Sequence, residues 1–130
     1  MSAPAASGPV MKTPGPDHPI AIARNPLRVR VVLGGVIVAE TTRALTLREA
    51  SYPAVQYIPR EDIVQDLFEA SERRSHCPYK GDASYFTISA GGLVRRDAAW
   101  SYEDPFPAVA AIAGHLAFYP DRIDAIEELR

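Results

Sequence analysis

Short segments in which apolar and polar residues alternate recur along this chain, with glycine pairs between some of them. Residues 27–33 (LRVRVVL) place alternate apolar side chains on one face, which is typical of a half-buried β-strand. Gly34 and Gly35 follow, and because glycine tolerates positive φ, they predict a hairpin that returns over residues 36–40. The same reasoning predicts strands over residues 18–23, 44–49, 55–58, 83–89, 93–96, 98–102, 115–119 and 122–126.

Two segments instead carry apolar residues at helical spacing. The first predicted helix begins at Pro59 and ends near Ala70, and residues 71–80 are predicted to be a loop that runs into the next strand. The second begins with Asp104 as the N-cap and stops at Gly114. The apolar stripes of these helices are Ile63, Val64, Leu67 and Phe68 for the first, and Phe106, Val109 and Ile112 for the second.

The closely spaced turn signals favour antiparallel strands, with further hairpins across Gly91-Gly92 and across Pro120-Asp121. We therefore predict a mainly β fold of eight to ten short strands, arranged as two layers, with two short helices. Residues 1–17 are rich in proline, alanine and glycine, and we interpret them as an N-terminal arm. Residues 18–130 are predicted to form a single domain, which suits a chain of 130 residues.

Composition limits the classes of function. The net charge of −2 lacks the basic excess of nucleic-acid-binding proteins, so no nucleic-acid partner is expected. The longest apolar stretch is too short to cross a bilayer, and the first residues do not resemble a signal peptide, so we expect a cytoplasmic protein without a membrane partner. A single cysteine, Cys77, allows no internal disulfide, and with three histidines it matches no zinc-ligand spacing, so no metal or other cofactor is predicted.

Residues 73–81 contain the densest group of reactive side chains. Arg73, Arg74 and Lys80 are cations that lower the pKa of a nearby thiol, which makes Cys77 a candidate nucleophile. His76 is expected to point away from Cys77, because neighbours in an extended chain face opposite sides. The alternative is that Cys77 is simply a small buried apolar residue.

A second group of candidate residues lies on one strand face. Trp100 and Tyr102, two positions apart, offer flat apolar walls for a ring, and Tyr102 adds a hydroxyl. The alternative is that Trp100 only anchors the core.

Several motifs in a fixed order resemble the bacterial and fungal family known as domain of unknown function 427. The resemblance covers about residues 18–127, and it rests on Gly35, Ala39, residues 44–49, residues 57–62, residues 76–81, Ser84-Tyr85, residues 99–102, Pro105 and residues 117–119. It implies a β-tent, in which two antiparallel sheets lean together with short helices. The family is also labelled nucleotidyltransferase-like, but this sequence lacks the acidic pair in a Gly-Ser turn that such transferases use, and no established reaction can be transferred.

A β-tent would bring the two candidate regions together. The favoured hypothesis is a pocket for an anionic or planar small molecule, with Cys77 as a candidate for catalysis. The pocket is predicted to be lined by Arg73, Arg74, Cys77, Tyr79, Lys80, Trp100 and Tyr102. The alternative is a non-enzymatic module that forms a homodimer or binds another protein through its strand edges.

Overall fold

Strands account for most of the computed structural model, which describes residues 11–130. The ten strands of this part of the chain, β1 to β10 in order, span Ile20–Arg24, Arg28–Leu33, Val36–Thr41, Leu45–Glu49, Val55–Pro59, Phe68–Cys77, Gly81–Ala90, Leu93–Ser101, His115–Phe118 and Ala125–Leu129. Short 3₁₀ helices span Arg60–Asp62, Gln65–Leu67, Pro107–Ile112 and Pro120–Arg122. Within residues 11–130, no helix is long and apolar enough to cross a membrane.

The strands form two antiparallel sheets. Seven strands pair in the order β1-β4-β5-β9-β8-β7-β6, and three pair in the order β10-β2-β3. This arrangement confirms the prediction of a mainly β fold with two antiparallel sheets.

The two predicted glycine hairpins are present and touch each other. Gly34 and Gly35 connect β2 to β3 in the smaller sheet, and Gly91 and Gly92 connect β7 to β8 in the larger one. Gly91 has a φ of +58°, and a Cβ atom added to it would lie 2.0 Å from the carbonyl oxygen of Gly34. The tips of the two hairpins therefore approach more closely than any side chain would allow.

The first predicted helix is wrong. Pro59 ends β5, residues 60–67 contain two 3₁₀ turns, and the chain enters β6 at Phe68. The backbone N–H of Val64 donates to the carbonyl of Val38 at 2.9 Å, and Ile63 is buried beside β3. Pairing with a distant strand therefore replaces the local hydrogen bonds of a helix, while the apolar residues still reach the core.

Three other predicted elements need correction. Residues 71–77, expected to be a loop, belong to the ten-residue strand β6. The second helix is a 3₁₀ segment with Phe106 rather than Asp104 at its N-cap. The predicted hairpin across Pro120-Asp121 is also wrong, because β9 lies in the larger sheet and β10 in the smaller one. The 3₁₀ turn at Pro120–Arg122 carries the chain from one sheet to the other.

The larger sheet buries side chains on both faces, and the two faces differ in composition. The aliphatic core lies between the sheets and consists mainly of Val29, Val31, Leu33, Val38, Ala39, Ile58, Ile88, Ala98, Ala99, Leu116 and Phe118. The opposite face, here called the aromatic face, carries Leu47, Tyr57, Ala83, Tyr85, Tyr102, Val109, Ile112 and Ala117, with Trp100 and Tyr119 packed against them.

Part of the predicted N-terminal arm contacts the domain. Lys12 donates its backbone N–H to the carbonyl of Pro78 at 2.7 Å, and Gly15 pairs with His18. Residues 1–10 of the arm lie outside the described residues. The contacts of residues 11–18 place His18 beside the turn that connects β6 to β7.

Candidate functional site

A cavity of about 220 Å³ lies in the aromatic face. Strands β4, β5, β7 and β8 and the turns β4–β5 and β6–β7 supply most of its wall. Its lining residues are Leu47, Glu49, Tyr52, Pro53, Val55, Tyr57, Lys80, Tyr85, Trp100, Tyr102 and Tyr119. The volume is below the roughly 300–1,000 Å³ of pockets for drug-sized ligands, so the cavity suits a single ring rather than a dinucleotide.

A buried ion pair forms one part of this wall. Lys80 is only 8 % exposed, and its ammonium group donates to one carboxylate oxygen of Glu49. The other oxygen of Glu49 is 2.7 Å from Nε2 of His18. Buried charges are stable when they are paired and hydrogen-bonded, and both partners of this pair meet that condition.

The protonation state of Glu49 follows from these contacts. Burial by itself raises the pKa of a carboxyl group, but the hydrogen bonds from Lys80 and His18 outweigh it. The pKa of Glu49 is therefore lowered from its ordinary value, and the carboxylate is ionised at neutral pH.

The β6–β7 turn directs Lys80 into the molecule. The backbone N–H of Lys80 donates to the carbonyl of Cys77 at 3.2 Å, and its carbonyl accepts from Phe106 at 3.0 Å. Gly81, which follows, has a φ of +114°, a conformation that residues with a Cβ rarely adopt. The backbone is thus fixed on both sides of the lysine.

Aromatic rings form most of the remaining wall. The indole N–H of Trp100 donates to the hydroxyl of Tyr57 at 3.3 Å, and the Trp100 and Tyr119 rings are 4.5 Å apart at their centroids. The hydroxyl of Tyr119 lies 3.4 Å from that of Tyr85, which in turn is 2.7 Å from the hydroxyl of Ser75. The wall of the cavity therefore contains both aromatic rings and hydroxyl groups.

Burial keeps three tyrosine hydroxyls of the cavity neutral at physiological pH. Burial raises the pKa of Tyr57 and of Tyr102 well above the ordinary value, and it raises that of Tyr119 to about 12. The hydroxyl of Tyr102 has no hydrogen-bond partner among residues 11–130, which leaves it able to donate to a ligand.

The structure brings several of the predicted site residues together. Lys80, Trp100 and Tyr102 line the same cavity. The guanidinium of Arg73 lies 4.6 Å from the ring centroid of Tyr85, which is one of the cavity walls. Ligand binding by these residues remains a prediction.

The other predicted residues lie outside the cavity. Tyr79 stacks on the ring of His18 with centroids 3.9 Å apart and does not line the cavity. Cys77 is half-buried against the aromatic face and is absent from the cavity wall. Arg74 borders a separate, more open hollow with His76 and Asp82. The reactive-thiol hypothesis for Cys77 stays a prediction.

Among the residues of the site that sequence reasoning missed are His18, Glu49, Tyr57 and Tyr119. Glu49 carried a usable signal, because it follows Leu45 and Leu47 on the same face of an alternating strand. A carboxylate at an inward position of a strand predicts a buried partner for it. The remaining three depend on which strands become neighbours, and no local pattern reports that.

No group of three or more histidine, cysteine, aspartate or glutamate side chains in residues 11–130 is arranged to hold a metal ion.

Comparison with known proteins identifies the family of the chain. A search of curated proteins found no match. A family model described as a domain of unknown function, DUF427, matches residues 21–129. With its two antiparallel sheets and a match across most of its length, the chain belongs to the DUF427 family.

Proposed function

We propose that this protein binds a small, planar, uncharged molecule in the aromatic cavity. The observation that carries the proposal is that the buried ammonium of Lys80 and the rings of Trp100 and Tyr102 line one cavity. Flat aromatic walls favour a planar ring, and polar groups fix its orientation.

The charges in the cavity wall decide whether a charged or an uncharged ligand fits better. Of the eleven lining residues, Glu49 and Lys80 carry formal charges, and these charges are opposite and paired. An anion would have to approach the carboxylate of Glu49, and a cation would approach the ammonium of Lys80. A neutral ligand meets neither repulsion.

The polar groups of the cavity favour a ligand that accepts hydrogen bonds. The ammonium of Lys80 has three N–H donors, one of which is directed to Glu49. Both carboxylate oxygens of Glu49 are engaged, by Lys80 and by His18. Two donors of Lys80 have no partner among residues 11–130. Together with the hydroxyl of Tyr102, they suit a ring that bears a carbonyl or an equivalent acceptor.

Three probes of similar shape and different charge test this proposal: benzamide, benzoate and phenyltrimethylammonium. Trp100 is the only tryptophan in the chain, so its indole N–H gives one assignable signal in a ¹H–¹⁵N spectrum. We expect benzamide to shift that signal in a saturable way, with a dissociation constant on the order of 1 mM for so small a ligand. The two charged probes should bind more weakly.

Removing one hydroxyl inside the cavity and one outside it provides the matched control. Tyr102→Phe should weaken benzamide binding about three- to tenfold, because a hydrogen bond to the ligand is lost. Tyr79→Phe removes a hydroxyl from a ring that does not line the cavity and should leave binding unchanged. No saturable benzamide shift, or tighter binding of benzoate, would refute the proposal of an uncharged ligand.

A further inference from the structure

A second hollow adjoins the aromatic cavity. It is an open groove of about 610 Å³ between the larger sheet and β10. Four residues line both hollows, namely Tyr52, Pro53, Val55 and Trp100. Because they share this wall, the two hollows lie side by side at Trp100.

The groove arises where two neighbouring strands diverge. Strands β5 and β9 pair at two positions, Ile58 with Leu116 and Pro59 with His115. Towards its beginning, β5 keeps its pairing with β4, as between Val55 and Leu47, but its other side leaves β9. The space opened in this way lies directly beside Trp100.

The wall of the groove is mainly apolar, with two acidic residues near β10. The apolar lining residues, apart from those shared with the cavity, are Ala54, Phe118, Pro120, Ala125 and Ile126. Asp124 and Glu128 also line it, and their carboxylates accept hydrogen bonds from the backbone of Gly34 at 2.8 Å and from the side chain of Asn25 at 3.0 Å. This wall favours an uncharged apolar chain and opposes a chain that ends in a carboxylate.

We infer that the ligand of this protein is a planar head group with an uncharged apolar extension, which lies across Trp100 in the groove. The inference rests on the proposed function, since the head group occupies the aromatic cavity. It adds a ligand class: an aryl or heterocyclic molecule that carries an alkyl or second aryl substituent.

The test compares benzamide with 4-butylbenzamide and with the analogue whose butyl chain ends in a carboxylate. Each methylene that leaves water strengthens binding about fourfold, so a chain that is about half buried gives about a tenfold gain. We expect 4-butylbenzamide to bind about ten times more tightly than benzamide, followed through the indole signal of Trp100. The carboxylate-ended analogue should lose that gain.

Substitutions in the groove wall test whether the apolar extension of the ligand binds there. Ala125→Asp places a carboxylate in the groove and should remove the gain from the butyl chain, while binding of benzamide itself stays within twofold. Ala54→Asp, at an exposed position of the groove wall, provides the same test where the change in β10 impairs folding. Val94→Asp adds the same charge at an exposed apolar residue outside both hollows and should change neither affinity.

The outcomes separate this inference from the proposed function. If benzamide binds and the butyl chain adds nothing, or if both groove variants retain the gain, the inference is wrong and the proposed function stands. If benzamide does not bind, both fail. If the groove variants instead dissociate a dimer, as measured by sedimentation, without changing the affinity for 4-butylbenzamide, the groove is an interface between copies and the inference is wrong.

Discussion

The two faces of the seven-stranded sheet are built from neighbouring residues, yet one face is mainly aliphatic and the other is rich in aromatic side chains. Ile58 is fully buried in the aliphatic core, whereas Tyr57, one position earlier, belongs to the aromatic face. In β9, Leu116 lies in the core and Ala117 on the aromatic face. Alternation along a strand thus sends one set of side chains to each side of the same backbone.

Under the proposed function, the difference lets one sheet serve stability on one face and ligand binding on the other. Branched aliphatic side chains interdigitate without polar groups to satisfy, and they fill the space between the sheets. The aromatic face carries ring hydroxyls, an indole N–H and the Glu49–Lys80 pair, and it leaves a cavity of about 220 Å³. The face that packs less completely is therefore also the one that carries hydrogen-bonding groups.

The same truncation on each face should give the largest contrast in stability. Leu116→Ala removes a fully buried side chain from the aliphatic core and should lower the free energy of unfolding by about 4 kcal/mol. Leu47→Ala, at a nearly buried residue that already borders the cavity, should cost about 2 kcal/mol, because less new empty space is created. Urea unfolding measures the free energy of unfolding of both variants. Equal losses would contradict the claim that the aliphatic core is packed more completely than the aromatic face.

Breaking the ion pair of the aromatic face should have the next largest effect. Lys80→Met leaves the carboxylate of Glu49 buried, with His18 as its one remaining partner among residues 11–130, and should cost about 2 kcal/mol. The double variant Lys80→Met/Glu49→Gln removes both charges and should be more stable than Lys80→Met alone. If the double variant is the less stable of the two, the pair is not what makes Lys80→Met costly.

Lowering the pH should reduce the free energy of unfolding, because Glu49 becomes protonated. Since the pKa of Glu49 in the folded state lies below the ordinary value of 4.5, the ionised carboxylate stabilises the fold above that pH. This stabilisation is lost as the pH falls from about 4.5 through the lower pKa of the folded state. Unfolding free energies measured between about pH 5 and pH 3 should therefore fall less steeply for Glu49→Gln than for the unchanged chain. If the unfolding free energies of the two chains fall in parallel with pH, Glu49 is not responsible for the loss of stability in acid.

The smallest effect is expected at the lone thiol. Cys77 packs against the aromatic face but does not line the cavity. Cys77→Ser should lower stability by only about 1 kcal/mol and leave the affinity for benzamide unchanged. A loss of benzamide binding in this variant would indicate that the thiol of Cys77 takes part in the site.

Local patterns predicted the parts of the fold that local chemistry determines. The hairpin at Gly34 and Gly35 follows from a glycine pair between alternating segments, and it is present. The apolar spacing of residues 63–68 also fits a helix, but there β3 supplies a backbone partner for Val64 that the sequence does not reveal. A turn at Pro120-Asp121 was predictable, whereas its role in carrying the chain between sheets depends on the whole topology.

The candidate site was predictable to the extent that its chemistry is unusual. The one indole and a lysine beside a turn glycine stand out in the sequence, and Lys80 and Trp100 do line one cavity. Tyr57 and Tyr119 sit in ordinary strand contexts, and their place in the wall depends on the arrangement of β5 and β9 within the sheet. Residues of the site that look like core residues could not be recognised before that arrangement was known.

The touching hairpin tips have a consequence for how this chain tolerates variation. Gly34 belongs to one sheet and Gly91 to the other, so their contact acts as a spacer that fixes how closely the two layers approach at that end. A methyl group at position 91 would collide with backbone, which has no rotamer to change, and would wedge the layers apart. Any substitution there must therefore be accompanied by a change in the other hairpin.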